Sequence, residues 1–228
     1  MTLDPLYFIV IAPAMLLAFI AQTMVSSRYA TASRLPASMT GAQAARRILD
    51  SAGLQDVAIE QIAGQLTDHY DPSAKVLRLS TAVYADASVA SVGIAAHEAG
   101  HAIQDAVHYK PMLLRSLSVP LASFGSNTAF ILFFIGLFVQ ALSFLTWAGV
   151  ILFSFVVFFQ VITLPVEFNA SSRAKRQLAA LGIVSGDQAY QVKKVLNAAA
   201  LTYVAGTLMA LLQLFYLLIR LAGSQRRD

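Results

Sequence analysis

Three stretches without a single charged residue decide what this chain can become: Pro5 to Ser27, Ser116 to Val166, and Val195 to Ile219. A soluble domain interrupts its apolar runs with charges every turn or two, whereas about 20 consecutive apolar residues are what a helix needs to cross a bilayer. The first and last stretches fit one span each. The middle one is long enough for two, with a break expected around Ala141-Leu142-Ser143-Phe144-Leu145-Thr146 and Trp147 suited to an interfacial anchor. Four spans are therefore expected. The bulk figures agree: 228 residues, 57% hydrophobic, 12% charged, no cysteine, mean hydropathy +0.66. Without cysteine, disulfides and thiolate-bound metals are excluded. The first span carries Asp4 before it and its basic residues after it, the reverse of a secretory signal, so a retained anchor is expected.

The formal charge of +4 does not point to nucleic acid, because the basic residues gather beside the expected spans. With four spans both polar loops share one side of the membrane. That side holds Arg28, Arg34, Lys110, Arg115, Arg173, Lys175, Arg176, Lys193 and Lys194, against Arg220, Arg226 and Arg227 on the side of the termini. The excess places the loops in the cytoplasm, facing anionic headgroups.

One loop contains His97-Glu98-Ala99-Gly100-His101. On a helix, positions i and i+4 share a face, so His97 and His101 can address one ion. Glu98 lies beside that face, within reach of a metal-bound water. This is the H-E-x-x-H arrangement of zinc peptidases, with two imidazole ligands and a general base. With only four His in the chain, chance would produce it on the order of once in a thousand such sequences. The alternative, a buried helix whose polar groups satisfy one another, leaves two His and a Glu needing partners among Ala, Gly and Ile.

A catalytic zinc site has three protein ligands and an open position. His108 lies too far along the helix from His101. The longer pattern with a third His also fails, because Gln104 and Val107 occupy its positions. Downstream stands one glutamate, Glu167, directly after the third span in Leu164-Pro165-Val166-Glu167-Phe168-Asn169-Ala170. A two-span hairpin would return it to the surface that bears the metal helix. Glu167 is the expected third ligand. A simple interfacial anchor is its other reading.

The remaining loop residues read as supports. Ser26 to Ser38 looks like a linker, and Thr40 with Gln43 forms a capping box for a helix ending at Gly53. The paired Arg46 and Arg47 read as a solvated face. Segments 57–62, 66–70 and 75–80 predict three short strands in an antiparallel meander, whose edge could hold an extended peptide. His69 is expected to serve the turn by bonding Asp68 or Asp71. The metal helix is expected over Ser88 to His108. Gly93 and Gly100 in it each cost roughly 1 kcal/mol relative to Ala, which is sensible where another backbone packs closely. Asp105 is either a surface carboxylate or the acceptor behind His101. Ser185 to Gln188 reads as another capping box, opening the helix that becomes the last span, in which Asn197 and Tyr203 are expected to pack between helices.

HEAGHA, the downstream Glu167-Phe168-Asn169-Ala170-Ser171-Ser172-Arg173-Ala174 and the run Val195 to Ala205 together resemble the bacterial neutral zinc metallopeptidases of the membrane, the YugP-like family. The likeness also takes in Thr40-Gly41 and His69-Tyr70-Asp71-Pro72. More distantly the layout resembles HtpX-type membrane proteases, which are gluzincins (H-E-x-x-H plus Glu). The resemblance implies His97, His101 and Glu167 as ligands of one zinc ion and Glu98 as base. HtpX-type proteins carry Asp four residues after the glutamate. Here Ser171 stands there, with Asn169 as a substitute support.

The expected architecture is a mostly α membrane protein with four transmembrane helices and a small α+β zincin-like cytoplasmic portion. Its parts are a span at 1–27, a cytoplasmic portion at 28–115, a transmembrane hairpin at 116–166, a cytoplasmic helical segment at 167–194, a span at 195–222 and a tail at 223–228. The expected function is a zinc endopeptidase of the bacterial inner membrane, acting from the cytoplasmic face on membrane or membrane-associated proteins. Its partners are a peptide or protein substrate and the bilayer, without nucleic acid. His69, Asn197 and Tyr203 are candidate oxyanion donors. The rival class is an inactive membrane scaffold with a structural zinc. A transporter is disfavoured, because its ionisable residues belong within the spans.

Overall fold

The computed structural model describes residues 4–224, so most of the tail, with Arg226 and Arg227, lies outside the described residues. In chain order the elements are α1 (Pro5–Ser33), α2 (Gly41–Ser51), β1 (Ala58–Ile62), β2 (His69–Asp71), β3 (Val76–Ser80), α3 (Thr81–Ala85), α4 (Val89–Ala106), α5 (Lys110–Phe138), α6 (Phe144–Ala180) and α7 (Gly186–Ser224). Among the described residues, α1, α5, α6 and α7 are long and apolar enough to cross a membrane, the number the sequence predicts. The chain divides into two compact units. Of the described residues, one holds 4–20, 113–164 and 202–224; the other holds 21–112 and 165–201.

In the first unit α5 and α6 are joined by a single 3-10 turn at Gln140–Leu142, at the start of the predicted break. Small residues let the two helices approach. A Cβ on Gly149 would stand 2.6 Å from the Ala129 carbonyl oxygen, and one on Gly125 would stand 2.9 Å from that of Leu152. Around this crossing Phe133, Phe153, Val157, Leu217 and Tyr216 form the core. The Tyr216 hydroxyl donates to Asp4 Oδ2 at 2.8 Å. α5 begins at Lys110, several residues before the predicted span, with Pro111 in the first turn where its missing N–H is not needed.

The second unit is built on α4. Its apolar face (Val92, Ala95, Ala96, Ala99, Ala102) packs among Ala44, Ala45, Ile48 and Leu49 of α2 and Leu77 and Leu79 of β3, all in one core. The Thr40 capping box forms as expected, and Gly53 takes φ +76° just past the end of α2. Several local expectations are corrected. The helix α1 runs to Ser33 instead of yielding to a linker at Ser26. No Pro or Gly stands between Ser26 and Pro36, and Ala32 and Tyr29 join the core. Arg46 is not a solvated face. It clamps the following loop, its guanidinium donating to Asp50 Oδ1 (2.8 Å) and to the carbonyls of Leu54 and Val57 (both 2.7 Å). The short helix α3 was not foreseen.

The sheet is not an antiparallel meander. Its order is β1-β3-β2, with β1 parallel and β2 antiparallel to β3. The reason lies in burial. β3 presents Val76, Leu77, Leu79 and Ser80 to the interior and suits the centre, whereas β1 is largely exposed and suits an edge. The Asp68 carboxylate accepts from the Ser80 backbone N–H (2.7 Å) and hydroxyl (3.0 Å), which ties the start of β2 to the end of β3. β2 and β3 therefore form the hairpin, and β1 takes the remaining edge.

Candidate metal centre

Ser88 caps α4 by accepting from the Ser91 N–H at 3.1 Å, so the helix enters with a fixed phase. It ends at Ala106, two residues short of the predicted His108, which takes φ +49°. His97 and His101 lie one turn apart, their ring centroids 4.8 Å apart and nearly perpendicular.

Glu167 comes to them on α6, which runs without a break past Pro165. The approach depends on Gly100. A Cβ there would stand 2.7 Å from the Ala170 carbonyl oxygen, so the two backbones touch, as expected of this glycine. Gly93 differs, since a Cβ there would meet only the Val192 side chain at 3.3 Å. Ala170 follows Glu167 by three residues, so contact at Gly100 sets Glu167 against the imidazoles. Its Oε2 lies 3.1 Å from His97 Nε2 and 3.5 Å from His101 Nε2. One donor atom from each of the three residues falls within 4.8 Å of the others, and the Glu167 residue is only 2% exposed.

This donor set fits a divalent cation. Two atoms about 2 Å from a tetrahedral ion stand about 3.3 Å apart, a value that the two nitrogen–oxygen distances bracket. The hydrogen bonds behind the rings support the same reading. His101 Nδ1 lies 3.0 Å from Gln104 Oε1. The Gln104 amide nitrogen donates to the Val166 carbonyl (2.8 Å) and to Asn169 Oδ1 (3.0 Å). A neutral His101 then carries its proton on Nδ1 and turns a bare lone pair toward the Glu167 carboxylate. The two facing lone pairs repel, and a cation between them relieves the repulsion. A second proton on His101 can serve. Burial opposes charging this ring, but the hydrogen bond and charge of Glu167, with help from Glu98 and Gln104, outweigh it and raise its pKa above the ordinary value. A metal ion serves as well, with nitrogen and oxygen donors typical of zinc.

Glu98 is 8% exposed and near enough for its charge to act on His101. Behind His97, Ser171 Oγ lies 3.1 Å from Nδ1, so the serine at the position of the HtpX-type aspartate does contact this imidazole. Asn169 supports Gln104 instead. Asp105 is not the acceptor behind His101. It turns toward the sheet, where it accepts from the Tyr70 hydroxyl at 2.8 Å and pairs with Lys75. Burial, then the hydrogen bond to Asp105, pushes the Tyr70 pKa well above the ordinary tyrosine range.

Among the candidate oxyanion donors, His69 is exposed and holds the Thr67 carbonyl through Nδ1 at 2.9 Å, a turn role with a partner other than Asp68 or Asp71. Asn197 is exposed on α7, not packed between helices, and Tyr203 belongs to the first unit. The Gln188 side chain donates to the Pro36 carbonyl (3.0 Å) rather than back to the start of α7. Sequence reasoning missed Gln104. The available signal was a polar residue three positions after His101, on the helix face that carries both histidines.

Comparison with known proteins agrees with this centre. The profile of the family described as "Putative neutral zinc metallopeptidase" matches residues 7–222. The chain is 47% identical over 219 residues to "Putative membrane protease YugP" of Bacillus subtilis (strain 168), covering 95% of this chain and 96% of the other. No solved structure matches. The chain thus belongs to the putative neutral zinc metallopeptidase family.

Proposed function

We propose that this chain is a zinc-dependent membrane endopeptidase with His97, His101 and Glu167 as ligands of one ion and Glu98 as general base. The observation that carries the reading is the meeting of three donor atoms, drawn from helices far apart in sequence, within 4.8 Å of one another next to a buried glutamate. When bound, zinc would polarise the scissile carbonyl and acidify the attacking water. Glu98 accepts that water's proton and delivers it to the amine nitrogen as the C–N bond breaks. Glu167 and the two imidazoles hold the donor geometry. Gly100 keeps α4 and α6 in contact, and the small zincin-like α+β portion around α4 carries the site. The basic residues flanking the apolar helices favour a cytoplasmic site in a bacterial inner membrane, which makes membrane or membrane-associated proteins the substrates.

The test is metal removal. Protein purified in detergent should contain one zinc per chain and cleave an unfolded membrane protein. A chelator should abolish cleavage, and added zinc should restore it. Protein that binds zinc tightly yet never cleaves would instead be the inactive scaffold.

A further inference from the structure

Gln104 is fully buried, and its partners leave it a single orientation. The Val166 oxygen is a peptide carbonyl and only accepts. The Arg173 guanidinium only donates, and its Nε lies 2.7 Å from Asn169 Oδ1. From both ends the pattern closes without conflict. Arg173 donates to Asn169 Oδ1, the Gln104 amide nitrogen donates to Asn169 Oδ1 and the Val166 carbonyl, and Gln104 Oε1 is left facing His101 Nδ1 at 3.0 Å.

Resting on the metal-site reading above, we propose that Gln104 is the positioning residue that holds His101 in the Nδ1–H tautomer and so presents Nε2 as a ligand. Which ring nitrogen of a histidine binds metal is set by the hydrogen bond its other nitrogen makes. A neutral glutamine does this without adding charge behind the ring, unlike a carboxylate. Without that acceptor the proton moves to Nε2, where Glu167 Oε2 at 3.5 Å accepts it and the ligand position is blocked.

The test compares full-length wild type and Gln104→Met, a substitution of similar volume that neither donates nor accepts at that distance. Protein labelled with 15N-histidine, in detergent and free of metal, is brought far enough above the ordinary imidazole range that the His101 ring carries a single proton, and is read by long-range 15N–1H correlation. Zinc affinity is measured in parallel by chelator competition. The wild-type His101 ring is expected to carry its proton on Nδ1, and Gln104→Met to shift it to Nε2. The zinc dissociation constant should rise by about 10- to 100-fold, the usual effect of removing a partner behind a ligand. Asn169→Ala, which leaves the Val166 carbonyl in place, should keep the wild-type tautomer and lose only a few-fold in affinity.

A wild-type ring protonated on Nε2 would overturn the assignment, and this measurement needs no variant to fold. So would a Gln104→Met protein that keeps both the Nδ1–H signal and wild-type zinc affinity. If wild type binds no zinc at all, the proposed function fails, and the metal-free tautomer still decides the role of Gln104.

Discussion

Replacing Glu98 by Gln is expected to leave zinc content unchanged and to lower kcat/KM for peptide hydrolysis by about 10²- to 10⁴-fold, the usual contribution of a positioned general base. At 1.36 kcal/mol per tenfold, that is roughly 3–5 kcal/mol of transition-state stabilisation. The amide keeps the shape of the side chain but cannot take a proton from water. Glu98 is not one of the three clustered donors, so the metal site is expected to survive the change. Steady-state kinetics and metal analysis on the same preparation check both halves. Undiminished hydrolysis by the variant would remove Glu98 from the reaction. Loss of zinc would make it a ligand or a support of the fold.

The second large effect is expected at Gly100. Gly100→Val should lower hydrolysis by about a hundredfold or more and cost about 3 kcal/mol of stability, the upper end for overpacking. Even the Cβ would lie 2.7 Å from the Ala170 carbonyl oxygen, a backbone atom that no rotamer can move aside. The helices α4 and α6 must then separate by several tenths of an ångström, carrying Glu167 away from the imidazoles. A misplacement of about 1 Å in an active site can cost a factor of 10². Gly93→Ala is the matched control. Its Cβ meets only the Val192 methyls, at 3.3 Å, a contact that a shift of a few tenths of an ångström relieves, and the gain in helix propensity of roughly 1 kcal/mol offsets it. Thermal unfolding in detergent and chelator competition measure the pair. Equal stability and zinc affinity in Gly100→Val and wild type would mean that the two helices do not need their close approach.

The cluster of His97, His101 and Glu167 was legible because it is written in local spacing and scarcity. His97 and His101 are fixed by one turn of helix, and Glu167 by the return of a two-span hairpin in a chain with little else to offer. The four long apolar helices followed from the charge-free runs. What was not legible depends on which face of an element meets the core. Strand order could not be read because β1 and β2 compete for the same neighbour. The choice was made by the buried β3 and by Asp68 reaching Ser80. Asp105, at i+4 from His101, read equally as a surface carboxylate or as the acceptor behind that ring. Tertiary packing turned it to Tyr70 and gave the place at i+3 to Gln104. Arg46 looked solvated because a sequence does not display the loop carbonyls it would find.

The hydrogen bonds that link Arg173, Asn169, Gln104 and His101 admit a single assignment of donors and acceptors, fixed by a guanidinium that cannot accept and by the Val166 peptide oxygen that cannot donate. Reversing one amide would set like against like at the next. Substitutions along it are therefore coupled, so that the cost of a change at 169 depends on the residue at 104.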